Sequence, residues 1–322
     1  MTHIDRRAVI AALGTGLFGA ASGPAWPENS PTKPAQGGIG GTGIVGTLTD
    51  FSSLMINGLR VETDAQTAIT NAYGLAPETA LAIGQSLTLE AEARPDGLIA
   101  RRVHITHPLI GRTEIVDRDR GILRVAGISV RLEPGAPAEF DAGARVAVSG
   151  LWQGSTVVAT RIDRLAEDGL SVIAGEITAA VGQSGRTMGG RPLILPSGTE
   201  APEPGTFVTV LGRATGSAFE VRTLAPGRFV GAAGPLQRLS VEGYLDPVAD
   251  APFFRVSGLG HSFDPQARLA DFADGRSLFD GAYVGTFAVE TGISLPGTTE
   301  DRRTLMRAIA SGNASGQVKA AR

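Results

Sequence analysis

Residues Ser53–Glu62 read SLMINGLRVE, two short stretches that alternate apolar and polar on either side of Asn57-Gly58. Alternation at period two marks a strand with one buried face, and Asn-Gly supplies the two left-handed residues that a tight hairpin turn requires. The stretch therefore reads as a β-hairpin. The same shape returns at Ile122–Arg131 (ILRVAGISVR) around Gly127, more loosely at Thr187–Leu195 (TMGGRPLIL) around Gly190, and at Phe254–Phe263 (FRVSGLGHSF) around Gly258. A second marker lies downstream of each. Gly84 precedes Leu87-Thr88-Leu89-Glu90, Gly143 precedes Arg145–Val148, Gly205 precedes Phe207–Val210, and Gly281 precedes Tyr283-Val284. A further strand follows at Leu98–Ile105, Thr156–Ile162, Ala218–Leu224 and Phe287–Ile293.

Two markers recurring together every 60–70 residues or so predict tandem units. Each unit has a first strand, a hairpin, a variable connection and two more strands. Five short strands with glycine-rich turns are the inventory of a small closed barrel of the OB type, and closure removes exposed sheet edges. A β-sandwich or a solenoid of hairpins is the alternative. The expected architecture is all-β, four tandem small OB-like β-barrel units with a short C-terminal helix. The units span 37–107, 108–168, 169–227 and 228–297, the last divergent, with a phenylalanine-rich hairpin and a longer connection. In 298–322, Thr298 and Asp301 resemble a capping box, and Leu305, Met306 and Ile309 share one face of a helix of about ten residues before a frayed tail.

Composition narrows the chemistry. The chain has 322 residues, 44 of them glycine and 19 proline, with 42% hydrophobic but only 5% aromatic residues. Its core must come from small and β-branched side chains. It has no cysteine, which excludes thiol chemistry, disulfides and cysteine-ligated metals. Lys33 and Lys319 are its only lysines, and neither falls where a phosphate-binding loop or a Schiff base would need it. The formal charge is −3, with no basic run longer than an arginine pair such as Arg101-Arg102. Nucleic-acid binding, which needs a basic surface to displace counterions, is not expected.

The N-terminus reads as an address. Arg6 and Arg7 precede a stretch without charge from Ala8 to Pro27, mildly apolar and closed by small residues at Ala20-Ala21-Ser22 and Gly23-Pro24-Ala25. That is the layout of a signal peptide over 1–25, and the paired arginines resemble a twin-arginine export signal, although Asp5 stands where a serine or threonine is usual. A proline-rich linker follows over 26–36. The expected location is periplasmic or extracellular, with no permanent membrane span.

The opening GGIGGTGIVGTLTDFSSLMINGLRV from Gly37, the strand Gly143–Gly150 with its G-x-x-V-x-V-x-G pattern, and Ala159-Thr160-Arg161-Ile162 carry a resemblance. They are similar to exported bacterial proteins with tandem repeats of domain of unknown function 5666, well over 37–225 and less well over 228–295. The resemblance implies a β-rich repeat in an exported protein and brings no activity and no catalytic residues.

Motifs for chemistry fail on their context. The G-x-G-x-x-G matches at Gly14–Gly19 and Gly38–Gly43 lack the strand before and helix after that dinucleotide binding needs. His104 and His107 lie at a strand end, where a spacing of three puts them on opposite faces, so they are expected to face solvent rather than to share a metal. Asp117-Arg118-Asp119-Arg120-Gly121 starts like a calcium loop, but Ile128 stands where the bidentate glutamate belongs. Ser184, in the glycine-rich turn Gly182–Gly185, has no nucleophile elbow. Trp152, in a turn with Gln153-Gly154, and Tyr244, Phe253 and Phe254 remain as binding candidates. A tryptophan at a barrel mouth could stack a sugar or a peptide side chain, or else close a barrel or pack between units. The sequence therefore points to an exported, non-enzymatic binding or scaffold protein of the cell envelope, with no catalytic, cofactor or metal residues and with an envelope protein or a saccharide as partner. A hydrolase or carbohydrate-active enzyme with carboxylates at a junction between units is the alternative, and an OB-type nucleic-acid binder is disfavoured.

Overall fold

A computed structural model describes residues 40–51, 53–117, 120, 122–138, 140–180, 185–250, 252–313 and 319–320. The expected signal peptide 1–25, the expected linker 26–36, most of the 117–121 loop and Ser184 lie outside them. The chain is all-β apart from short helical turns and one C-terminal helix.

The first group holds β1 (Gly41–Asp50), β2 (Leu54–Ile56), β3 (Leu59–Glu62), β4 (Ala68–Asn71), β5 (Gly74–Leu75), β6 (Ser86–Arg94) and β7 (Gly97–Ile105). β1 pairs with β2 and β6, β2 with β3, β3 in parallel with β7, and β7 with β6, which closes a five-stranded barrel. The small hairpin β4–β5 is an addition on β7. The second group repeats the circuit with β8 (Leu109–Asp117), β9 (Ile122–Val125), β10 (Ile128–Leu132), β11 (Arg145–Gln153) and β12 (Thr156–Arg164). These two are closed barrels, as the strand inventory required.

The third group comprises β13 (Ser171–Glu176), β14 (Thr178–Ala179), β15 (Arg186–Met188), β16 (Arg191–Ile194), β17 (Phe207–Thr215) and β18 (Ala218–Pro226). β13 pairs with β17, β17 with β18, β18 in parallel with β16, β16 with β15, and β15 with β14. Only Ile177 separates β13 from β14, and its backbone bonds to Thr206 and Gly205. In the last group β19 (Leu236–Pro247) pairs with β20 (Phe254–Val256) and β21 (Arg276–Tyr283), and β21 with β22 (Phe287–Ser294). The second arm of its expected hairpin is reduced to one parallel bridge, Phe263 with Phe287.

Turn geometry explains that difference. Asn57-Gly58, Ala126-Gly127 and Gly189-Gly190 all have positive φ at both turn residues, the mirror-image turn whose twist matches a strand pair. Around Gly258 the positive φ values fall at Gly258 and Gly260, so the chain leaves the ladder instead of folding straight back.

Every group also carries a register shift in its penultimate strand: Glu90/Ala91, Ser149/Gly150, Leu211/Gly212 and Asp280/Gly281. A Cβ on Gly150, Gly212 or Gly281 would lie 2.3, 1.9 or 2.1 Å from a backbone oxygen of the next strand. The bulge bends the strand, and glycine is what the close approach admits. Gly281 is thus a bulge glycine. The marker that precedes the strand is Gly275, whose φ of +108 corresponds to +91, +77 and +90 at Gly84, Gly143 and Gly205.

The groups join through their first strands. β1 runs parallel to β19, and β8 pairs antiparallel with β13. The second and third groups share one apolar core, from Leu109 through Trp152 and Ile177 to Phe219. Helix α1 (Thr299–Ala310) begins at Thr298, whose hydroxyl accepts from the Asp301 amide, and it buries Leu305 and Met306 against Leu278, Ile293 and Leu295. β23 (Lys319–Ala320) adds to β22. Among the described residues no helix is long and apolar enough to cross a membrane.

Candidate functional site

Three groups meet at the end of β11. Trp152 is the penultimate residue of that strand, not part of the turn, which is formed by the next residues, Gly154-Ser155. Its indole is 6% exposed and donates to the Ala174 carbonyl at 2.8 Å. A Cβ on Gly175, Gly189 or Gly258 would strike the ring at 2.7, 2.7 or 2.5 Å, so three glycines from the third and fourth groups make the slot that receives it. A narrow recess with about 20 Å³ of room, enough for about one water, lies behind the ring.

In front of it an open groove of about 620 Å³ runs between the Gly154-Ser155 turn, β14, the Gly189-Gly190 turn and β20. That volume is in the range of small-molecule sites. Its polar groups come from separate elements. Glu176, at the end of β13, accepts from Arg255 of β20 at 2.7 Å. Asp246 accepts from the Ser257 hydroxyl, which in turn accepts the Gly154 amide at 2.9 Å and so ties the second group to the fourth. The Thr178 and Thr187 hydroxyls bond at 2.6 Å across β14 and β15. Burial raises the Glu176 carboxyl above its ordinary range, Arg255 works against this, and the nearby Asp246 charge adds to it. Among the described residues the groove thus has two carboxylates, both already engaged, on a lining mainly of glycine, alanine, serine and threonine.

The other aromatic candidates are not brought to it. Tyr244 is buried in mid-β19 against Leu151 and Val158. Phe253 is 59% exposed at a positive φ, and Phe254 packs on the core of the fourth group. Neither lines the groove.

The histidines also require a correction. His104 and His107 are half-buried rather than open to solvent. Burial drops them to about 3 and about 4, with Arg102 adding to the effect on His104 and Asp163 opposing it on His107. His104 shares a hydrogen bond of 2.9 Å with Thr70, and His107 Nδ1 is buried without a partner. His104 lies on the face of β7 opposite the core residues Val103 and Ile105, and β4, paired alongside through Thr70, gives it part of its cover. His261 stacks on Phe229 with its ring centroid 5.7 Å away, and burial lowers it to about 4, with Arg228 acting in the same direction. Among the described residues no three histidine, aspartate or glutamate side chains form a group that could hold a metal.

Buried charge elsewhere joins the groups. Glu133, Glu242, Arg276 and Arg302 are each 2–4% exposed. Arg276 pairs with Glu133 and Glu242, each at 2.7 Å, and Arg302 from α1 takes the other Glu133 oxygen. Glu90 accepts the Val230 and Ala232 amides at 2.8 and 2.7 Å. The Arg228 guanidinium lies 4.0 Å over the Phe207 ring, and burial lowers it to about 9.

Against known proteins, the family model described as Domain of unknown function (DUF5666) matches residues 42–104, the first barrel. No curated protein and no solved structure matches the chain.

Proposed function

We propose that the protein is an exported, non-enzymatic binding module of the cell envelope, and that the groove in front of Trp152 holds a saccharide. One observation carries this reading: the open groove where three groups meet is lined by small hydroxyl and glycine residues, with paired polar groups at one end. Such a lining offers donors and acceptors to sugar hydroxyls at little steric cost. The reading also takes the chain as four copies of one barrel unit. The bulge in each penultimate strand and the parallel closing pairs Val61–Leu98, Val130–Val157, Leu193–Phe219 and Phe263–Phe287 support it. Export rests on Arg6-Arg7 and the weakly apolar stretch that follows.

Calorimetric titration with neutral and acidic oligosaccharides tests the groove. Ser155→Trp, at an exposed turn position, should fill it and abolish binding; unaltered binding would refute the assignment.

A second reading is favoured by the meeting of Glu176 and Asp246 in one groove at a junction between groups. A pair of carboxylates, one of them raised, is the equipment of glycoside hydrolysis. Release of reducing ends from an oligosaccharide, lost in Glu176→Gln, would establish it over simple binding.

A further inference from the structure

Past Ser155 and Gly189-Gly190 the groove continues into a second recess of about 520 Å³, lined by Arg124, Ser129, Arg191 and Ser217 among glycines. Among the described residues no carboxylate lines it. Arg191 is only 9% exposed and is aimed by backbone. Its Nε donates to the Ala218 carbonyl at 3.1 Å, and Nη2 donates to the Gly216 and Ala218 carbonyls at 3.0 and 2.7 Å. The remaining nitrogen, Nη1, sits over Gly127, where a Cβ would be 1.7 Å away. The left-handed glycine of the β9–β10 turn thus makes room for the guanidinium.

Carbonyls orient this arginine without cancelling its charge. Arg124, exposed on β9, adds a second positive charge, and the acid across from it is Glu114 on β8. Among the described residues neither arginine forms an ion pair. Burial lowers the Arg191 pKa; Glu114 opposes that, and Arg124, the smaller influence, reinforces it. With no ion pair to displace, an anion in the recess would gain the attraction of both arginines. A guanidinium fixed beforehand loses little freedom on binding, and its remaining nitrogen, Nη1, offers charged N–H donors to a carboxylate, sulfate or phosphate.

We propose that this recess is the anion end of the groove: Arg191 and Arg124, with the hydroxyls of Ser129, Ser155 and Ser217, take the acidic group of a saccharide whose neutral rings lie along Gly189-Gly190 toward Trp152. This rests on the saccharide reading of the groove.

The test is calorimetry of the full chain with an oligosaccharide of neutral rings that ends in one uronic acid and with its neutral methyl ester, at low and high salt. The acid should bind about tenfold tighter or more than the ester, and its affinity should fall with salt. Arg124→Gln and Arg191→Gln should each erase most of that preference, and Ser155→Trp should abolish binding of both compounds. Arg124 is exposed, so its variant keeps the test readable if Arg191→Gln loses the fold. Acid and ester binding alike, with the arginine variants unchanged and Ser155→Trp still blocking, would overturn the anion site and leave the groove reading intact. Binding of neither compound would overturn both.

Discussion

Glu133→Ala should be among the most damaging single substitutions in this protein. Glu133 lies just after β10 and bridges Arg276 of β21 and Arg302 of α1, with all three side chains at most 4% exposed. With Glu242, the four buried charges sum to zero. Removing Glu133 leaves a net positive charge out of water. Arg276 keeps Glu242 at 2.7 Å, but Arg302 is left with the Pro296 carbonyl at 3.0 Å and the Thr299 hydroxyl at 3.4 Å. Breaking a buried pair in this way costs about 3–5 kcal/mol, against a total of about 5–15 kcal/mol for a whole domain. Urea denaturation followed by circular dichroism reads the loss directly. Glu133→Gln keeps the shape and should lose less. Adding Arg302→Met to Glu133→Ala restores neutrality around the Arg276–Glu242 pair, and the double variant should be more stable than the sum of the singles by about 1 kcal/mol or more. A loss under about 1 kcal/mol for Glu133→Ala, or strict additivity in the cycle, would refute a dry, mutually dependent network.

Other outcomes follow from the same geometry. Gly212→Ala forces a Cβ to 1.9 Å from the Glu220 carbonyl oxygen and should lower stability by about 1–3 kcal/mol, whereas Gly297→Ala, with open space around it, should change little; urea midpoints compare them. Trp152→Ala empties the slot between three groups and loses the bond to Ala174, which should cost about 3–5 kcal/mol in the same assay. His104, His107 and His261 hold folded pKa values of about 3, 4 and 4, below the ordinary 6.5, so the unfolded chain binds more protons below pH 6.5. Stability should therefore fall as pH drops from about 6.5 toward 4, by at most about 1.4 kcal/mol per pH unit for each histidine, and urea midpoints at pH 7 and pH 5 would show it. If the paired arginines direct export, replacing both Arg6 and Arg7 with lysine should retain the chain in the cytoplasm, as cell fractionation would reveal.

Local chemistry made the barrels legible. Asn57-Gly58, Gly127 and Gly190 sit in the expected turns, and the strands at Leu98, Thr156, Ala218 and Phe287 lie where alternation put them. The cap at Thr298 and the buried face of Leu305 and Met306 were equally readable, because each depends on residues within two turns of helix. What depended on packing between groups was not readable. Glu90, Glu242 and Arg276 lie on alternating strands and look like solvent-facing residues, yet they point inward because another group covers that face. Trp152 could be named as a residue that packs between units, but not its slot, since Gly175, Gly189 and Gly258 are distant in sequence. The groove was hidden for the same reason. Glu176 comes from the third group and Asp246 and Arg255 from the fourth, and Arg124 and Arg191 looked like ordinary hairpin residues. The meeting of Gly127 and Arg191, two hairpin positions, is revealed only by the joined cores of the second and third groups.

The most direct test of the binding groove is an amide correlation spectrum of the labelled full chain, titrated with neutral and uronic-acid oligosaccharides. The account predicts shifts concentrated at Gly154, Ser155, Gly189 and Gly190, extending to Gly127 and Gly216 with the acidic compounds only. Shifts centred on another surface, or none with any compound, would contradict it.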